Sequence, residues 1–198
     1  ARAVIAGILL AAGESTRMGQ LKALLPWRGT TLLQWQAAAL LEAGGSPLIV
    51  VLGHRAGELR ELLPTEARVI LNERYHEGKS TSIVAGVSAL PGGVDAALVV
   101  AVDQPTDATV LRELMAAYEP EHPTVLLPSV SRRRGHPTLF DASLFPELLA
   151  ISEEREGLRE VMTRHDEDVC YLEVDTELVR ANLNSPEDYE AAYARWGR

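Results

Sequence analysis

From Val4 to Leu10 the chain carries no polar side chain, and it then passes directly into Ala11-Ala12-Gly13-Glu14-Ser15-Thr16-Arg17-Met18-Gly19. An uninterrupted apolar run of this length is expected of a strand covered on both faces, as in a parallel sheet. A secretion signal would end at a cleavage site, whereas this run flows into a glycine-containing loop. No segment approaches the roughly 18 apolar residues that a bilayer span requires.

The rest of the chain repeats the alternation. Leu48–Leu52, Val69–Leu71, Ala96–Val102, Val125–Leu127 and Val169–Val174 read as strands. Thr30–Ala43, Ser80–Leu90, the stretch after Pro105 through Tyr118, and Ser152–Arg164 read as helices. Thr30 or Thr31 caps the first of these and Gly44-Gly45 stops it. Ser185-Pro186-Glu187-Asp188 starts a last helix, with a serine cap, proline at the first position and acids in the first turn. Ser129–Pro137 is polar and basic and is expected to form a loop over the sheet edge. Strand–helix alternation predicts one α/β domain over residues 1–198, a mostly parallel sheet with helices on both faces.

The net charge of −9 over 198 residues excludes a nucleic-acid surface and an anionic membrane as partners. It also means that any phosphate site must be a local cationic pocket or a metal site. The single cysteine, Cys170, precludes an internal disulfide and suits a reducing cytoplasm. Its apolar neighbours Val169, Tyr171 and Leu172 predict a packed thiol.

The segment from Leu10 to Lys22 leaves the carboxyl end of the first strand, where open α/β sheets place ligands. Ala11, Ala12 and Gly13 let the backbone approach a ligand. Gly13 and Gly19 permit positive φ, so that successive N–H groups converge on phosphate oxygens. Ser15 lies between them, Arg17 adds a forked cation and Lys22 a point charge. Lys22 falls three residues after Gly19, which does not fit a P-loop, and Ser15 stands where a dinucleotide fingerprint needs its second glycine.

Leu-Ala-Ala-Gly-x-Ser-x-Arg-Met-Gly-x-x-Lys resembles the signature of the nucleotidyltransferase superfamily that makes nucleotide sugars and molybdenum-cofactor dinucleotides. Within it the chain most resembles the molybdenum cofactor cytidylyltransferase branch, from the first strand almost to the end. The resemblance implies a Rossmann-like, glycosyltransferase-A-like nucleotidyltransferase fold. It implies nucleotide contacts from Leu10, Ala11, Ala12, Gly13, Ser15, Arg17, Gly19 and Lys22, with Arg17, Lys22 and Asp103 as the catalytic set.

Asp103 directly follows the apolar strand Ala96–Val102 and precedes Pro105, so its carboxylate emerges at the same sheet edge. A hard carboxylate there suits Mg²⁺, and Asp-x-Pro after a strand is where the family holds it. Asn182, in Asn182-Leu183-Asn184, stands where many relatives have aspartate. It either completes the metal site or serves as a turn residue. In the stretch from Asn72 to Ser82, Gly78, Ser80 and Ser82 match the branch's nucleotide-contacting segment; the serines are equally good helix caps. Arg134-Gly135-His136-Pro137 resembles a recurring Gly-His-Pro of the molybdopterin branch and is assigned to the acceptor. The basic run Arg132–Arg134 then holds the acceptor phosphate or is a solvated loop face.

The implied reaction transfers a nucleotidyl group from a nucleoside triphosphate, CTP in this branch, to the terminal phosphate of molybdopterin, with Mg²⁺ as cofactor. A molybdoenzyme or its chaperone is the implied recipient. The alternatives are a molybdopterin guanylyltransferase, a sugar-1-phosphate nucleotidyltransferase, which would be expected to carry more chain, and a non-catalytic cofactor carrier. A dinucleotide-binding oxidoreductase is disfavoured by the missing fingerprint.

Overall fold

The opening apolar run becomes β1 (Ile5–Ala11), every residue of which is buried. The computed structural model describes all residues from Ala1 to Arg198. After β1 a loop leads to a small hairpin, β2 (Pro26–Trp27) and β3 (Thr30–Thr31), and into α1 (Leu32–Ala43). There follow β4 (Leu48–Leu52), α2 (Ala56–Arg60), β5 (Ala67–Leu71), α3 (Lys79–Ser88), β6 (Ala96–Ala101) and α4 (Ala108–Tyr118). The last part holds β7 (Val125–Val130), β8 (Arg133–Arg134), β9 (Thr138–Asp141), α5 (Phe145–Leu149), α6 (Leu158–Arg164), β10 (Val169–Glu173) and α7 (Pro186–Ala192).

The main sheet runs β10-β7-β9-β6-β1-β4-β5, with β8 paired to β7. β1 lies between parallel partners β4 and β6, and β4–β5 and β7–β10 are also parallel. Only β8 and β9 run against the rest. The mostly parallel expectation holds, and helices cover both faces. Alternate residues of β1 explain why both faces must be covered. Ile5, Leu9 and Ala11 join one core with Leu33 and Leu40 of α1 and Leu111 and Leu114 of α4. Ala6, Ile8 and Leu10 join the other with Ile83 and Val87 of α3, Leu148 of α5 and Val161 of α6. Each fully buried aliphatic contributes roughly 1.5–3 kcal/mol. Exposed ion pairs such as Arg55–Glu58 and Arg74–Glu77 contribute about 0–1 kcal/mol, so the two cores hold the sheet.

The structure corrects three expectations. Ser129–Pro137 is not a loop over the edge. β7 continues to Val130 and turns back as β8, with Val130 opposite Arg133. The two turn residues, Ser131 and Arg132, both have positive φ, as a two-residue primed turn demands. Ser129 Oγ and the Ser131 N–H both donate to the Glu173 carboxylate at 2.7 Å, tying the hairpin to β10.

Ser152–Arg164 is not one helix. Glu156 (φ 63°) and Gly157 (φ 57°) break it before α6, where a side chain at 157 would sit 2.6 Å from Ser80 Oγ. Cys170 is exposed, because β10 is an edge strand with only Val169 and Leu172 partly covered. By contrast Ser185 caps α7 as expected, its Oγ accepting from the Asp188 N–H at 3.1 Å. No helix is long and apolar enough to cross a membrane.

Candidate active site

The carboxyl ends of β1 and β6 open into a cleft lined by Leu10–Gly13, Ser15, Leu21–Ala23, Tyr75, Lys79, Ser82 and Ala101–Asp103. The loop after β1 is shaped by two left-handed residues, Ser15 (φ 59°) and Gly19 (φ 68°). Gly13 does not have positive φ; the left-handed residue stands two positions on, at Ser15. The Ser15 carbonyl accepts from the Met18 N–H at 3.0 Å and Ser15 Oγ from the Lys22 N–H at 3.1 Å, closing the loop on itself. Buried Met18 and Leu21 anchor it from below. A side chain at Gly13 would meet no atom within 4 Å, so that position leaves free space for a ligand at the cleft.

Lys22 Nζ donates to Asp103 Oδ2 at 3.1 Å, and the two side chains are only 15% and 27% exposed. The backbone turn that carries Asp103 is held by α1. Gln36, fully buried, donates to the Gln104 carbonyl at 2.9 Å and the Ala101 carbonyl at 3.3 Å, and accepts from the Thr106 N–H at 3.0 Å. Trp35 Nε1 donates to the Thr106 carbonyl at 2.9 Å. These two residues were not legible as site residues, because their role exists only once α1 lies against β6. The closing segment reaches the same place: the Leu183 N–H donates to the Asp103 carbonyl at 2.8 Å, which brings Asn182 beside it. Arg17 is exposed and makes no ion pair with the protein.

The stretch 72–82 divides between two sides. Asn72, buried at the end of β5, donates to Thr81 Oγ1 and Ser82 Oγ, both at 2.9 Å, and sets the start of α3. Ser82, Tyr75 and Lys79 line the cleft. Tyr75 lies over Gly53, where any side chain would come within 2.6 Å of the ring. Gly78 and Ser80 face the 153–157 turn: Glu153 occupies the space beside Gly78, and its carboxylate accepts from the Ser80 N–H at 2.7 Å. The sequence singled out neither Tyr75 nor Lys79, since a tyrosine or lysine in a polar stretch carries no spacing signal.

The Arg134–Pro137 segment is divided too. Arg134 donates to Tyr171 Oη at 2.8 Å and approaches Asp166 at 3.5 Å, so its guanidinium lies on the edge strand. A side chain at Gly135 would collide with Val179 at 2.7 Å. His136 and Pro137 instead reach a small chamber adjoining the cleft. His136 Nε2 is 2.6 Å from the Ala181 carbonyl, and burial lowers its pKa to about 4, against the pull of that carbonyl and of Asp103. The ring is therefore neutral at pH 7.

No three His, Cys, Asp or Glu side chains converge anywhere to hold a metal ion. Asp103 is the one carboxylate among the residues that line the cleft, and Asn182 is the chain neighbour of Leu183, whose N–H is bonded to the Asp103 carbonyl. That sparse, hard donor set fits Mg²⁺, which binds through one or two carboxylates plus substrate phosphates and water.

A central-strand loop of small residues, a cation–carboxylate pair across two strand ends and a doubly covered sheet define the protein as an α/β nucleotidyltransferase. The chain belongs to the family described as the MobA-like NTP transferase domain, which matches residues 7–169. It is 32% identical over 169 residues to the nicotine blue oxidoreductase of Paenarthrobacter nicotinovorans, covering 78% of this chain and 79% of that one. It is 26% identical over 195 residues to the molybdenum cofactor cytidylyltransferase of Escherichia coli K12, covering 96% and 95%. Among solved structures, a nucleotidyl transferase from Methanothermobacter thermautotrophicus superposes with a TM-score of 0.81 at 29% identity, covering 97% of each chain.

Proposed function

We propose that this chain transfers CMP from CTP to the terminal phosphate of molybdopterin or its metal-loaded form, releasing pyrophosphate. The Lys22–Asp103 pair beside the Gly13 loop is the observation that carries the reading, because it sets a cation and a metal-competent carboxylate at one phosphate-sized cleft. The near full-length similarity to a molybdenum cofactor cytidylyltransferase supports the choice of base and acceptor.

In the reaction an acceptor phosphate oxygen attacks the α-phosphorus of CTP. The new P–O bond forms as the bond from the α-phosphorus to the α,β-bridging oxygen breaks, and its electron pair leaves with pyrophosphate. The acceptor is already an anion at neutral pH, so no general base is needed, and the protein's work is orientation and charge neutralisation. The Lys22 ammonium has three donors; its bond to Asp103 leaves two for phosphate oxygens. Arg17, free of protein partners, covers the leaving pyrophosphate, and the backbone from Leu10 through Gly19 lines the phosphates. Asp103, with Asn182 beside it, would hold Mg²⁺, which when bound neutralises phosphate charge. His136 and Pro137 lie on the acceptor side; the product passes to a molybdoenzyme or its chaperone. In this reading the protein works in the cytoplasm.

A second reading comes from the 32% identical relative, whose name is that of an oxidoreductase. Product analysis separates the two. Incubation with CTP, Mg²⁺ and molybdopterin should yield pyrophosphate and a CMP-linked pterin in equal amounts; no pyrophosphate there, together with oxidation of NADH or NADPH when nicotine blue is supplied as the electron acceptor, would overturn transfer in favour of that second reading.

A further inference from the structure

Two anionic reactants must meet for the transfer proposed above, and Lys22 and Arg17 are already assigned to the triphosphate. Lys22 is paired with Asp103. Arg134 is turned to Tyr171 and Asp166 on the edge strand. Lys79, the first residue of α3, is different. It lines both the main cleft and the small chamber adjoining it, and it forms no ion pair within the protein.

The chamber itself is an interruption of the core. Val99 is the one residue of β6 that is not buried, although β6 lies in the middle of the sheet. It pairs across the sheet with half-buried Thr138 of β9, and Phe140 and Leu158 complete the wall. His136 lines the same space. Its Nε2 faces the Ala181 carbonyl and so carries the hydrogen, which leaves Nδ1 as an acceptor. That Nδ1 is buried with no hydrogen-bond partner. A buried polar atom left unpaired costs free energy, and in native proteins it calls for an explanation. Here a ligand donor would satisfy it.

We infer that Lys79 and His136 form the acceptor half-site, Lys79 binding the attacking phosphomonoester and His136 Nδ1 accepting from an N–H of the ring system that bears it. The inference rests on the transfer reading above and assigns the acceptor's charge to Lys79, not to the Arg132–Arg134 run. Phe140 and Leu158 beside the polar Thr138 and Gln104, with one acceptor atom and one cation, fit the edge of a heteroaromatic ring that reaches in from the cleft with an N–H donor and carries a phosphate on a short arm. Because Lys79 borders both cavities, it also screens the repulsion between that phosphate and the triphosphate as the new P–O bond forms and pyrophosphate departs. Lys79 is thus a binding residue for the acceptor and a positioning residue for the attack.

The test uses the full chain as wild type, K79M, K79R, H136Q and R134A. Molybdopterin binding is read from pterin fluorescence, and CTP binding with Mg²⁺ by calorimetry. K79M should weaken molybdopterin binding by about tenfold or more, the loss of one charge-assisted contact, and raise the KM for molybdopterin, while CTP binding is little changed. K79R should recover most of the binding, H136Q should weaken it, and R134A should bind as wild type does. Wild-type molybdopterin binding by K79M, or a loss in R134A without one in K79M, would overturn the half-site. An equal loss of CTP and molybdopterin binding in K79M would also overturn it, by placing Lys79 on the nucleotide. Failure of the wild type to bind molybdopterin would overturn the ligand assignment. Binding without pyrophosphate release would overturn the transfer reading alone.

Discussion

Lys22 and Asp103 stand 81 residues apart in sequence, yet their Nζ and Oδ2 atoms meet at 3.1 Å where the ends of β1 and β6 converge. The contact joins the two segments that carry the phosphate chemistry. It depends on register: Leu10 of β1 pairs with Ala101 of β6, which sets the loop and the aspartate at the same height on the sheet edge.

Replacing Asp103 with alanine should abolish pyrophosphate release while leaving the fold intact. The side chain is partly exposed and its backbone is held independently by Gln36 and Leu183. Thermal unfolding close to that of the wild type, together with lost turnover in Mg²⁺, is the expected pair of observations. Near-normal turnover by folded D103A would remove Asp103 from the metal site.

Lys22→Ala and Arg17→Ala should each slow transfer or weaken CTP binding by roughly tenfold or more, since a charge-assisted hydrogen bond is worth about 1.5–3 kcal/mol. The two should differ in stability. K22A strips a partly buried carboxylate of its cation, whereas Arg17 has no protein partner to lose. Steady-state kinetics and melting curves on both variants check this, and unchanged kinetics in both would mean the loop holds no phosphate.

Gln36→Leu should destabilise the protein by about 1–3 kcal/mol, the cost of leaving buried polar groups without partners. The Thr106 N–H and the Gln104 carbonyl both lose their side-chain bond. Because those bonds hold the turn that carries Asp103, kcat should fall as well. Denaturant unfolding combined with kinetics distinguishes this from a purely structural role, in which stability falls and kcat does not.

His136 predicts an acid limb of stability. Its folded pKa of about 4 lies below the ordinary value of 6.5, so between these the unfolded chain binds a proton that the folded chain refuses. Stability is therefore fully present above pH 6.5 and lost as pH falls toward 4, by about 3 kcal/mol at the low end. Unfolding midpoints from pH 7 to 4.5 should fall more steeply for the wild type than for His136→Gln, whose amide can still donate to Ala181. Parallel curves would contradict a neutral, half-buried His136.

Much of this could be read in advance where one segment carries its own explanation. The apolar run of β1, the residues from Leu10 to Lys22 and the placement of Asp103 after β6 are local patterns. What could not be read depends on contacts between distant segments. The Ser131-Arg132 turn lacks the Asn-Gly or Asp-Gly that marks a primed hairpin, and Pro128 inside β7 argues against a strand. The break at Glu156-Gly157 lies where Ser80 approaches Gly157 and bonds Glu153, contacts between distant segments that no helical period can report. Cys170 looked buried from its neighbours, but exposure is set by the order of strands in the sheet. Gln36, Tyr75 and Lys79 gained their places only when α1 and α3 were laid on opposite faces.

The most direct test of nucleotidyl transfer is pyrophosphate release measured with each of CTP, GTP, ATP and UTP in Mg²⁺, with and without molybdopterin. The account predicts release with CTP, far less with the other three, and none from CTP without the acceptor. Absence of release with every triphosphate in the presence of molybdopterin would contradict it.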